Sequence, residues 1–500
     1  MQFDVFKKRN RRRIAFNMFL LRCNLPIFKI LYSMNINMKN TFNSSFFRQR
    51  RLFYIFLTVI FISPAVFAQD NYLENVMTEV SAYITRRDYN SALALFDSLP
   101  RDQAESLEIR ILRATILNAA GRPAEAIIIA NGITAVSANN TDALMILADA
   151  AALQNRDRDR RTFLERIIGI DAQHARALND LANINLRNQN LRVAANYFER
   201  VLAFDPNNGD ALVGRASVYR YNSDPRNAEL LLNRAAALYP NWAAPLQERA
   251  RLYRSYGFHS DALEDFGAAL ALEPDNYWVL VDYAQTLFDV GRMEEALVRL
   301  ERAIIISPND FIAYVYSAAI KDELGDYAGA ERDYLSLIRC KPDYYFAYEA
   351  LGVIRMRNKQ WTGARDAFLE AYRYAPSEFG YAILAAINWM RAGRQTDPRQ
   401  FLAQVIRAAP RDSLDLAMLR LYHDLSGDQS VTILVENERN LYTKSRMLYY
   451  LAAYHDIRGS RMTADRYYLM VRDLGAVGSL EYRINEIFLI ERGLNLRITP

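Results

Sequence analysis

The sequence predicts an all-α chain made by stacking one helix pair many times over, and three observations predict it. Pro206, Pro240, Pro274, Pro308, Pro342, Pro376 and Pro410 stand 34 residues apart, and a fixed internal period is the mark of a repeat array. Small residues recur in the same register. In frames of 34 opened at residue 175, the eighth position reads Ala182, Ala216, Ala250, Ala284, Ala318, Gly352 and Ala386. The twentieth reads Ala194, Ala228, Ala262, Ala296, Ala330 and Ala364, until Pro398 breaks the column. The twenty-fourth is large throughout: Phe198, Leu232, Phe266, Leu300, Tyr334, Phe368 and Leu402.

Each column has a physical cause. Positions 20, 24 and 27 share one face of a helix, because residues three and four apart lie above one another. Alanine at 8 and 20 lets two antiparallel helices approach closely, and the large residue at 24 fills the space they leave. Glycine at position 15 (Gly257, Gly291, Gly325, Gly393) suits a left-handed residue ending the first helix. Proline at position 32 ends the second helix and sets the angle into the next pair.

Length, column identity and phase together resemble the tetratricopeptide repeat, a helix–turn–helix unit of 34 residues with small residues at 8, 20 and 27 and proline at 32. The resemblance implies a right-handed superhelical α-solenoid of about twelve units over 69–478. The frames are 73–106, 107–140, 141–174, 175–208, 209–242, 243–276, 277–310, 311–344, 345–378, 379–412, a degenerate 413–444, and 445–478. Residues 479–500, opening "SLEYRINEIFLIERG", are expected to supply a capping helix and tail, since a solenoid must cover its last apolar face. The short frame at 413–444 and Asp397-Pro398 mark the expected irregularities.

The amino-terminal part reads differently. Residues 38–68 carry Lys39, Arg48, Arg50 and Arg51, then an apolar run from Leu52 to Ile62, then Ser63-Pro64 and small Ala68. That order is the grammar of a secretory signal peptide. Even Leu52–Ala68 falls short of the roughly 20 apolar residues of a spanning helix, so cleavage is expected ahead of retention as an anchor. Residues 1–37 read as an extension upstream of the start site. An exported protein of the bacterial periplasm or cell envelope is the resulting expectation, with membrane contact only through 52–68 if the leader stays.

Charge narrows the partners. The formal net charge is +5, but residues 1–68 hold twelve Lys/Arg and one acid, Asp4. The remainder carries 50 basic against 56 acidic side chains, which is not the footprint of a general nucleic-acid binder. Only Cys340 lies beyond the leader, so no disulfide within the body is expected. The four histidines (174, 259, 423, 455) form no HExxH, and neither GxSxG nor a Gly-rich phosphate loop occurs. No enzyme activity, cofactor or metal is expected; the expected function is a protein–protein interaction scaffold, the alternatives being a membrane-anchored assembly or secretion factor and, after it, a carbohydrate-binding or enzymatic solenoid.

In tetratricopeptide proteins the ligand-facing positions of the first helix are generally 2, 5, 9, 12 and 13. Carried over frame by frame, the resemblance implies a polar, basic surface over 175–276, including Arg176, Asn179, Asn183, Arg220, Arg251 and Arg254. Over 277–378 it implies an apolar one: Trp278, Val281, Gln285, Phe288, Ile312, Val315, Phe346, Val353 and Met356, with Asp289, Asp322 and Glu323 at its edge. Large apolar residues at positions the repeat core does not need point to an interaction surface. The expected ligand is an extended peptide or partner helix, with Trp278, Phe288 and Phe346 as anchors. Burial by the terminal helix or by winding of the array is the competing expectation. The carboxylate clamp of chaperone-binding members is broken here, by Gly214, Ala244 and Glu248.

Overall fold

The computed structural model describes residues 71–393 and 398–494, so the leader (1–37 and 38–68) lies outside the described residues. The described residues form 26 helices and no strand, none long and apolar enough to cross a membrane. They fall into two compact units, one ending at Val290 and one running from Gly291.

The first unit opens with α1 (Asn71–Thr85), α2 (Tyr89–Phe96) and the single turn α3 (Arg101–Ala104). Pairs follow: α4 (Leu107–Ala119) with α5 (Pro123–Val136), α6 (Thr141–Leu153) with α7 (Asp157–Ile170), and α8 (Ala175–Arg187) with α9 (Leu191–Phe204). Then come α10 (Gly209–Tyr221) with α11 (Pro225–Leu238), α12 (Ala243–Ser255) with α13 (His259–Leu272), and α14 (Tyr277–Asp289). The second unit contains α15 (Met293–Ile306), α16 (Phe311–Glu323), α17 (Tyr327–Cys340), α18 (Tyr345–Arg357), α19 (Trp361–Tyr374) and α20 (Phe379–Arg391). It continues with α21 (Pro398–Ala408), α22 (Leu414–Asp424), α23 (Asp428–Asn437), α24 (Leu441–Ile457), α25 (Arg461–Leu474) and α26 (Leu480–Glu491).

The columns explain the packing. Ala182, Ala194, Ala216, Ala228, Ala250, Ala262, Ala284, Ala296, Ala318, Ala330 and Ala364 are all wholly buried, as are Phe198, Phe266 and Phe368 at position 24. Burying a side chain of phenylalanine's size stabilises by about 1.5–3 kcal/mol. Glycine stands where a ring leaves no room for a methyl: a Cβ on Gly352 would lie 2.5 Å from the Phe368 ring. Each second helix stops two residues before its proline. In α9, for example, Asp205 caps the helix, its N–H bonded to the Val201 carbonyl, and Pro206 follows.

Position 15 is left-handed whatever its residue. Gly257, Gly291, Gly325 and Gly393 have φ of +78° to +81°, and Asn155, Gln189, Ser223 and Lys359 have φ of +56° to +59°. The turn of the helix pair dictates the conformation, and glycine only makes it cheaper.

The irregular frames differ for local reasons. Pro398 opens α21, as proline can at a helix N-terminus, and leaves that helix 11 residues against 14 in α19. α22 and α23 have 11 and 10 residues, α22 ending at left-handed Leu425. α24 is longer, with 17 residues.

First and second helices are buried differently. α8 buries nine residues where α9 buries three. First helices touch not only their partners but the next first helix, as in α8–α10–α12–α14. Positions facing the first helix of the next pair are therefore largely enclosed.

Candidate functional site

Within the first unit, the cationic positions of the first-helix face are spent on carboxylates. Arg176 of α8 donates to both carboxylate oxygens of Asp149 on α6, at 2.9 and 2.7 Å. Arg220 of α10 lies 3.6 Å from Glu248 on α12, and Ser217 donates to the same carboxylate at 3.1 Å. Arg251 pairs with Glu248 and donates to Asp282 of α14 at 2.6 Å. Arg254 pairs with Gln285 and donates to Asp289 at 2.7 Å. Most of these contacts run from one pair to the next, so the ladder ties consecutive first helices together.

Burial decides how strongly. Glu248 exposes 5% of its surface. That burial would raise its pKa, yet Arg251 and Arg220 outweigh it and hold the carboxyl below its ordinary value. Burial likewise opposes the charge on Arg251, and Asp282 and Glu248 reverse the effect. Burial, with the Arg160 cation next in weight, pushes Arg187 down to about 10. The basic surface expected over 175–276 is thus corrected to a neutralised one. Arg176, Arg220, Arg251 and Arg254 are salt-bridged crossties, and buried Asn179 donates to Asn208 at 3.0 Å. Asn183 remains partly exposed.

The apolar set divides. Val281, Ile312, Val315, Val353 and Met356 expose between 1% and 4%, so they are packing residues rather than an open lining. Trp278, Gln285, Phe288 and Phe346 keep partial exposure. Trp278 meets Tyr277 edge-on with centroids 5.0 Å apart. Phe346 lies 4.1 Å from Tyr345 and 5.9 Å from Tyr344, centroid to centroid.

In the second unit the chain's own last helix joins the apolar cluster of α18. α26 buries Leu480, Glu481, Tyr482, Ile484, Asn485, Ile487, Phe488 and Leu489, whereas a helix covering an end buries one stripe. Ile484, Ile487, Phe488 and Leu489 share one apolar cluster with Val353 and Met356 of α18. Arg483 reaches α16 and pairs with Asp322. Burial would depress this guanidinium, and Asp322 reverses that and raises it. Glu481 takes the Tyr450 hydroxyl of α24 and lies 3.6 Å from Arg446. Asn485 donates to the Tyr468 carbonyl of α25 at 3.1 Å. Phe488 stacks on Tyr468 at 5.7 Å and carries the Arg391 guanidinium 4.3 Å above its ring. Lys359, just past α18, lies 3.7 Å from Glu491.

Asp322 was legible as an edge residue, but Arg483, Glu481, Tyr450 and Arg446 were not singled out in the sequence. A signal existed: Tyr482, Ile484, Phe488 and Leu489 spread large apolar side chains over more than one side of α26, and a helix that is apolar on more than one side is buried on more than one side.

Among the described residues no group of three or more His, Cys, Asp and Glu is placed to hold a metal ion. Cys340 is partly buried, with its sulfur 3.7 Å from the Pro308 carbonyl.

Family models described as tetratricopeptide repeat match residues 77–140, 179–243, 256–319 and 320–379, together about half of the chain. Several solved structures are similar. A thermophilic repeat protein of Thermus thermophilus is 22% identical, with 36% of this chain and 98% of that one covered at a TM-score of 0.34. A tetratricopeptide repeat protein of Parabacteroides merdae is 16% identical, covering 49% and 98% at 0.42. YrrB, described as having an unusual peptide-binding site, is 16% identical, covering 37% and 95% at 0.28. No curated protein matches the chain significantly.

Proposed function

The chain belongs to the tetratricopeptide repeat family, and from that premise we propose that it is a non-enzymatic scaffold of the bacterial cell envelope that holds a peptide or partner protein on its first-helix face. The observation that carries the reading is α26: first helices of the second unit accommodate a helical segment gripped through Arg483–Asp322 and Glu481–Tyr450. A face that holds one helix by side-chain recognition has the chemistry of helix-in-groove binding. Export rests on the leader grammar of residues 38–68, and N-terminal sequencing of the native protein separates a cleaved form from one anchored through 52–68. The acidic excess of the body supports a protein rather than a nucleic-acid partner.

The residues we assign to contact are the apolar ones that keep exposed area: Trp278 and Phe288 on α14 in the first unit, and Phe346 on α18 in the second. Aromatic residues at interfaces carry a disproportionate share of binding energy. Crosslinking in the native envelope identifies the partner. Replacing all three aromatics by Ala should then reduce its capture at least tenfold while the helical circular dichroism is retained. Undiminished capture rejects the assignment.

A further inference from the structure

The helix at 480–491 is held as a ligand is held. In a helix, residues two apart are turned about 200° from one another, and residues four apart share a face. Glu481 and Asn485 therefore address one side, where they meet Tyr450 and the Tyr468 carbonyl. Arg483 addresses the opposite side, where it meets Asp322. A segment whose task is only to seal an apolar face gains nothing from buried charge, since an apolar side chain of similar volume would stabilise as well. Buried polar pairs on opposite sides set register and identity.

The fit is also incomplete. The Tyr334 hydroxyl is buried without a hydrogen-bond partner. Tyr334 lies on α17, which packs against the α16 that carries Asp322; burial raises its pKa, Asp322 adds to the effect, and Arg483 opposes it. The Asn485 Oδ1 is buried and unpartnered as well. Each such group forfeits a hydrogen bond it would make in water. A helix that satisfied the Tyr334 hydroxyl and brought no unpartnered amide of its own would bind more tightly than the resident one. The connection to α25 is the five residues 475–479, GAVGS, opening on Gly475 at φ +62°.

We propose that the first-helix face of the second unit is an exchangeable helix site, occupied at rest by Leu480–Glu491 and taken over by a partner protein's amphipathic helix that presents an arginine, flanked by apolar residues, to the Asp322 niche. This rests on the scaffold reading and names the partner's chemistry. Val353 and Met356 lie in the same apolar cluster as Ile484 and Ile487. Tethering gives the resident helix a high effective concentration, so only a better-fitting helix displaces it.

The test uses the full chain with a protease site inserted into the 475–479 loop and cut after folding. The cleaved protein should keep its helical signal, hold the 480–500 fragment, and exchange it for a fluorescent peptide of residues 479–494, whereas the uncut protein takes up none at the same concentration. A peptide carrying Arg483→Glu should bind on the order of 100-fold more weakly, as expected for breaking a buried ion pair. Asp322→Arg in the protein should restore much of that loss. A helical peptide sharing only the arginine and the apolar positions should compete with the native one. Failure of the cleaved protein to exchange, or equal binding of both peptides, overturns the proposal. So does a dimer of the uncut chain by light scattering, which would mean that copies trade the helix. Because the readout needs no cellular partner, exchange without capture in the envelope would leave the site standing and remove the scaffold reading instead.

Discussion

Gly214 tests whether packing or helix propensity governs this array. It lies inside α10, where Ala in place of Gly ordinarily stabilises by about 1 kcal/mol. Here a Cβ would come within 2.2 Å of Phe198 Cζ and 2.3 Å of its Cε1, against the 3.5–4.0 Å at which carbon atoms attract. The ring would have to retreat by about 1 Å or more, and it has nowhere to go. Phe198 is wholly buried in a cluster with Ala182, Ala194, Val201, Ala211 and Val218. Overpacking of this kind costs about 1–3 kcal/mol. Contacts this short belong in the upper part of that range, about 2–3 kcal/mol, so Gly214→Ala should lose about 1–2 kcal/mol net. Gly267→Ala in α13 is the control: its Cβ meets nothing closer than the Tyr283 hydroxyl at 4.0 Å, so it should gain about 0.5–1 kcal/mol. Urea denaturation followed by circular dichroism reads the global effect, and hydrogen exchange across α9 and α10 reads the local one. Phe198→Leu should relieve the Gly214→Ala variant. A Gly214→Ala protein as stable as the wild type would refute the packing argument.

Three further outcomes follow from backbone and cap geometry. Gln189 holds φ at +58° without being glycine, so Gln189→Gly should stabilise by about 0.5–1 kcal/mol, whereas Gly257→Ala at φ +79° should destabilise by about 1 kcal/mol, both read as shifts in the urea midpoint. His174 caps α8 by accepting the Ala177 N–H on Nδ1 at 3.2 Å, which requires an unprotonated nitrogen. Burial holds its pKa below the ordinary histidine value, so the cap is fully present above the unfolded-state pKa of about 6.5 and is lost as pH falls through the lower folded-state value. His174→Asn should abolish that part of the pH dependence and exceed the wild type by about 1 kcal/mol at pH 5, and equal slopes between pH 8 and pH 5 in the two proteins would refute the capping role.

The repeat architecture was legible because its information is local and redundant. A period of 34, alanine where two helices touch, and proline past each second helix are all readable without knowing what lies across the chain. Ala216 and Ala228 are small because their own helix pair closes on them, and both are wholly buried. The candidate surface was less legible for the opposite reason. Position in a frame says which way a side chain leaves its helix, and nothing about what meets it. Arg251 reads as a free cation until Asp282, 31 residues later, is placed beside it. Val353 and Met356 read as a floor awaiting a ligand until both are found buried, in one cluster with residues of α20, α22, α24 and α26.

By itself the sequence determined the helical class, the length of the unit, the phase of its columns and the places where the pattern slips. Those follow from steric rules acting within one helix pair, and every copy states them again. Only the tertiary structure decided that Phe198 needs Gly214 whereas Phe368 needs Gly352, that the arginine positions are crossties, and that Arg483 finds Asp322 across 161 residues. Such contacts occur once, between segments far apart in the chain. Their energies depend on burial and partner geometry, which no periodic pattern records.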